Sequence, residues 1–137
     1  VHTLMQTITL PPECEVGEGY GKVSWGVRAI WESYAGWFHH QSTTELYSVP
    51  ASAVFGDVVA LAGADALVAR AQEKFEQDKP EEALHLLDMV RKVEPGHVGA
   101  VELLLTIHRA LLAQADNFWL EGWLEEQIRL LEGALEA

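Results

Sequence analysis

Cysteine is nearly missing from this chain. Cys14 is the only one, so no internal disulfide can form, and the compartment stays open because periplasmic enzymes can also lack disulfides. Basic residues are scarce too: Lys and Arg total 9 against 21 Asp and Glu, a formal charge of −12. Such a surface repels a phosphate backbone or an anionic membrane, which argues against nucleic acid as a partner. No apolar run reaches ~20 residues, so no membrane-spanning helix is expected. β-Branched residues adjoin in only a few short places, Thr43-Thr44 and Val58-Val59 among them, and no alternating run survives counting, so no strand is predicted. The chain opens on Val1, which reads as a cut end; the lack of a targeting segment then says nothing about a parent protein.

What is present is apolar surface in helical register. Hydrophobic residues make up 49% of 137 residues, enough for one domain with its own core. Pro11-Pro12 and the glycines at 17, 19 and 21 make the first 21 residues a loop with little helix. Over residues 22–40, Val23, Val27, Ile30, Trp31, Tyr34, Trp37 and Phe38 recur at i, i+4, i+7, i+8, i+11, i+14 and i+15. That spacing predicts one long helix with a wide apolar face. Gly26 and Gly36 would each cost ~1 kcal/mol inside it, and a closely approaching backbone is the expected compensation. Pro50, Gly63, Pro80 and Pro95-Gly96 then punctuate a series of helices, with Asn117 as the cap of the last. Its stripe is Trp119, Leu120, Trp123, Leu124, Ile128 and Leu131, with the two tryptophans expected mainly in the core. The fold class is all-α: an array of six to seven helices. One hairpin, over residues 67–100, resembles a tetratricopeptide unit, with small Ala83 where two helices must approach closely and Pro95 ending the second.

Few residues are arranged for chemistry. His39-His40 with Glu45 is the most metal-like group, but adjacent helical residues point ~100° apart and no His-x-His or His-x-x-x-His spacing occurs. His108 lies on an apolar helix face, where a histidine satisfied by a carbonyl is expected; His85 and His97 belong to helix surfaces or ends. Cys14 sits beside carboxylates, which disfavour a thiolate. The Gly-rich loop before residue 22 lacks the strand a phosphate cradle needs. No catalytic residue, cofactor ligand or metal ligand is assigned in this chain. The aromatic face can be core or contact surface. Trp25, Trp31, Tyr34, Trp37 and Phe38 are the candidates for an interface, because aromatics concentrate at interface centres.

The wording of that region resembles one family. Leu10-Pro11-Pro12-Glu13, Gly19-Tyr20-Gly21, Val27-Arg28-Ala29-Ile30 and Tyr34-Ala35-Gly36-Trp37-Phe38 resemble the dimerisation domain of alkyl sulfatases. Leu46-Tyr47-Ser48-Val49-Pro50, Gly63-Ala64-Asp65-Ala66-Leu67, Asp78-Lys79-Pro80 and Asn117-Phe118 continue the likeness. The resemblance implies a parent enzyme of metallo-β-lactamase type, with two zinc ions on a separate N-terminal domain and sulfate esters of long-chain alcohols as substrates. It implies that residues 1–21 lead in from that catalytic domain and that residues 22–137 form a helical domain joining two subunits. The zinc-binding motif of the family is not in this chain. His39-His40-Gln41-Ser42 also stands where the alkyl sulfate cleavers have Asp-Gly-Asn-Pro, which implies a different ester on the same scaffold. The rival readings are a tetratricopeptide-like peptide-binding adaptor and a free-standing enzyme built on His39 and His40.

Overall fold

The computed structural model describes residues 1–136. Among them are seven α-helices, three 3-10 turns and no strand. The helices are α1 (His2–Thr7), α2 (Val23–Ala35), α3 (Phe55–Ala62), α4 (Ala64–Glu76), α5 (Pro80–Val93), α6 (Val98–Leu112) and α7 (Phe118–Glu136). They divide into two compact units. One comprises Val1–Val49 with Ala115–Glu121; the other comprises Pro50–Gln114 with the chain from Gly122 onward.

The second unit holds the apolar core. α4 and α5 form the predicted hairpin. Ala71 and Ala83 are both fully buried, and only so small a side chain lets two helix backbones come close. Asp78 takes a left-handed φ of 60° in the turn, a conformation Asp tolerates better than most residues. Pro80 opens α5 with Glu81 and Glu82 in its first turn and Arg91 and Lys92 in its last, all four suited to the helix dipole. Lys74 pairs with Glu82 across the hairpin. α6 packs on this pair and is buried along most of its length, with Val101 and Ile107 at its centre. His97 caps it: Nδ1 accepts the Ala100 N–H at 3.2 Å, which leaves Nε2–H to donate to Asp65 at 3.1 Å. Gly63 ends α3 with a φ of 86°. Leu131 and Ile128 of α7 complete this core.

The first unit is organised differently. Neither α1 nor α2 has a buried residue. Its one fully buried side chain is polar. Asn117 Oδ1 accepts the N–H groups of Trp119 and Leu120 at 3.1 Å each, as the predicted cap should. Its Nδ2 donates to the Glu18 carbonyl, the Phe118 N–H donates to the Gly19 carbonyl at 2.8 Å, and Tyr20 stacks on Phe118 at 5.5 Å. The glycine-rich loop is thus stitched to the start of α7.

Three expectations need correction. The first 21 residues carry more helix than expected: His2–Thr7 form α1 and Pro12–Cys14 a 3-10 turn. The helix over residues 22–40 ends at Ala35. Gly36 takes a φ of 71°, donates its N–H to the Glu32 carbonyl at 2.8 Å and turns the chain away, so Trp37 and Phe38 lie beyond the helix. Gly36 is therefore explained by its conformation and not by a close neighbour, and a Cβ at Gly26 would meet nothing within 4 Å. Trp119 and Trp123 are not core residues. Leu124 and Leu131 are buried, while both tryptophans stand more than 60% exposed.

Candidate interaction surface

The first unit presents several exposed large apolar side chains, with Trp25 and Tyr34 nine positions apart and so on opposite sides of α2. Trp25 is 40% exposed, Ile30 62%, Tyr34 90% and Trp37 69%. Gly26, Ile30 and Tyr34 fall at i, i+4 and i+8, so they form one line along α2. Trp31 and Phe38 are half-buried. The Trp31 ring meets the His39 ring edge-on at 5.0 Å, and Phe38 lies between Trp37 at 6.0 Å and His40 at 4.3 Å. The Arg28–Glu32 pair, at 2.9 Å, is exposed on the same helix. Exposed apolar side chains scattered singly are ordinary, and adjacent large ones such as Ile30 and Tyr34 are candidates for a contact surface.

The loop after Gly36 is held by one carboxylate. Glu45 Oε2 accepts the His39 N–H at 2.6 Å, and Oε1 accepts the N–H groups of Gln41 at 3.2 Å and Ser42 at 3.0 Å. Ser42 closes a capping box with Glu45 over the 3-10 turn Thr43–Leu46. The His39 N–H contributes most to holding the Glu45 carboxyl below its ordinary range, with Ser42 and Gln41 adding to it. The carboxylate that sequence spacing places near two histidines is thus committed to backbone donors. His39 packs on Trp31, and His40 sits at a positive φ of 59°. No group of three His, Cys, Asp or Glu among the described residues could hold a metal ion. His108 donates Nδ1–H to the Leu104 carbonyl at 2.7 Å, the satisfied arrangement expected of it.

Of the five interface candidates, α2 carries Trp25, Trp31 and Tyr34, and the Glu45-stapled loop carries Trp37 and Phe38. Helical spacing alone missed the role of Glu45, although a Ser-x-x-Glu capping signature at Ser42 and Glu45 was there to be read. It also missed a groove of about 420 Å³ in the second unit, where Asp88, Arg91 and Trp123 converge from helices distant in sequence.

A family model described as "Alkyl sulfatase dimerisation" matches residues 1–131. The fold is similar to that of a double mutant of the sec-alkyl sulfatase PisA1, with a TM-score of 0.75 at 21% sequence identity. That likeness covers 98% of this chain and 21% of the PisA1 chain, so the sequence here spans about a fifth of that protein's length. No curated protein matches the chain.

Proposed function

Because the chain belongs to the alkyl sulfatase dimerisation family, we propose that it joins two copies of a larger sulfuric ester hydrolase and performs no chemistry by itself. The observation that carries this reading is α2: a helix with no buried residue whose Ile30 and Tyr34 stand open to solvent. A second copy would cover Trp25, Trp31, Tyr34, Trp37 and Phe38, some of which would face the catalytic domain of the same polypeptide. Residues 1–21 would lead in from that domain and residues 22–137 would form the joining body. The matched PisA1 chain has ample length outside the shared fold for such a domain.

Metal chemistry of the two-zinc kind would belong to that other domain, since no group of three His, Cys, Asp or Glu among the described residues fits a metal. His39-His40-Gln41-Ser42 forms the loop beside Trp31 and Phe38, and a loop at that place could shape access to a neighbouring active site. Nothing in either match points to a peptide-binding repeat, and the α4–α5 hairpin by itself is only a packing unit. Sedimentation equilibrium tests the reading. The chain should run as a dimer, and Tyr34→Asp, at a 90% exposed position, should shift it to monomer while leaving its helical circular dichroism intact. A monomer for the unsubstituted chain, or a Tyr34→Asp variant that dimerises as tightly, would count against it.

A further inference from the structure

We propose that the groove holding Asp88, Arg91 and Trp123 is a second contact between two copies of this chain, closed by reciprocal Arg91–Asp88 pairs across a two-fold axis; this rests on the dimer reading above. The starting observation is a cation without a counter-charge. Arg28, Arg70, Lys74, Lys79, Arg109 and Arg129 all pair with carboxylates. Among the described residues Arg91, Lys22 and Lys92 do not, and of these three Arg91 alone has a nitrogen, Nη1, that is shielded from solvent without a hydrogen-bond partner. A shielded N–H donor without an acceptor is costly and calls for a partner.

Asp88 lines the same groove, one turn earlier on α5, exposed and without an ion-pair partner among the described residues. One face therefore offers an unpaired cation and an unpaired anion about a turn apart. Such a face is complementary to itself: in an isologous contact, Arg91 of each copy meets Asp88 of the other. Trp123 (62% exposed) and Leu130 (49% exposed) lie in the same groove and supply the apolar surface that an interface centre needs. The occupant is a second copy and not a small anion, because Asp88 would repel an anion that Arg91 attracts. Two chains of charge −12 also repel one another, and two reciprocal pairs offset part of that repulsion where they touch.

Charge reversal tests this in a way that misfolding cannot imitate. Asp88→Arg and Arg91→Asp should each weaken self-association about a hundredfold, because every reciprocal contact becomes a like-charge one. Mixing the two variants should restore dimers, since both contacts in the mixed pair join opposite charges. The double swap, Asp88→Arg with Arg91→Asp, should restore the homodimer. If Arg91→Asp does not fold, Asp88→Arg at its exposed position still tests the contact by sedimentation equilibrium. A dimer whose affinity neither reversal changes would overturn the groove contact and leave the α2 reading standing. Reversals that weaken the dimer without rescue on mixing would overturn the reciprocal pairing. A monomeric unsubstituted chain would overturn both readings together.

Discussion

The two units hold themselves together by opposite means. The second buries Leu87, Val90, Val101 and Ile107 almost completely, so its stability is available within one copy of the chain. The first has two helices with no buried residue and is fastened by polar staples: Asn117 onto Glu18, and Glu45 onto the loop after Gly36. Large aromatics are abundant in it and none is fully buried. A segment rich in Trp and Tyr that fully buries none of them in its own chain has its apolar surface to give to something else. The apolar residues of this domain thus serve two purposes, and burial separates them.

The largest loss of stability is expected in the second unit. Leu87→Ala removes a fully buried side chain and should cost about 2–5 kcal/mol, seen as an earlier denaturant midpoint. Truncating Ile30, which is 62% exposed, should leave that midpoint within about 0.5 kcal/mol when measured on the monomer. Equal losses at the two positions would mean that the first unit has a core of its own.

Asn117→Ala comes next. It removes the cap of α7 and leaves the part-buried Glu18 carbonyl without its donor, for a loss of about 2 kcal/mol. Hydrogen exchange should speed up at Trp119 and Leu120, whose N–H groups Asn117 holds, with the α4–α5 hairpin unaffected. Exchange rising equally in both would show that they unfold as one.

These elements also mark what could be read from sequence. α3, α4, α5 and α6 were legible because apolar spacing and the breaks at Gly63, Pro80 and Pro95 agree with one another. The end of α2 was not. Trp37 and Phe38 continue the helical spacing, so periodicity carries the pattern through Gly36, while the positive φ there ends the helix. The aromatic content of the candidate surface was legible, but its exposure was not, since spacing gives a face and not what covers it. The tie between Asn117 and Glu18 joins positions 99 residues apart, and local pattern carries no signal for it. Arg91 and Asp88 look like ordinary surface charges of a helix until the fold brings Trp123 beside them.

Gly36→Ala should cost about 1 kcal/mol, because a side chain at a φ of 71° is strained even where space is open. Its larger consequence should be for Trp37 and Phe38, whose direction depends on that turn, and the dimer should loosen with it. Gly26→Ala sharpens the contrast from the other side. Nothing lies within 4 Å of the new Cβ, so α2 should gain up to about 1 kcal/mol of helix stability. If a second copy approaches along the line of Gly26, Ile30 and Tyr34, the same methyl should weaken dimerisation. A stabilised helix with an unchanged dimer would place the contact away from Gly26.

The smallest effect is expected from acid. Glu45 accepts three backbone N–H groups only as a carboxylate, and its folded pKa lies below the ordinary carboxylate range, chiefly through the His39 N–H. The unfolded chain thus takes up that proton first as the pH falls. The stabilisation is complete above the ordinary glutamate value of about 4.3, shrinks as the pH drops through it, and is gone below the folded value. The amide signals of His39, Gln41 and Ser42 should shift together in that acid range, while those of the α4–α5 hairpin hold their positions. Glu45→Gln should abolish the acid step and loosen the loop at neutral pH, because a neutral amide is a weaker acceptor and has only one acceptor oxygen. An acid step that persists in Glu45→Gln would assign the staple to another group and leave the position of Trp37 and Phe38 without its present cause.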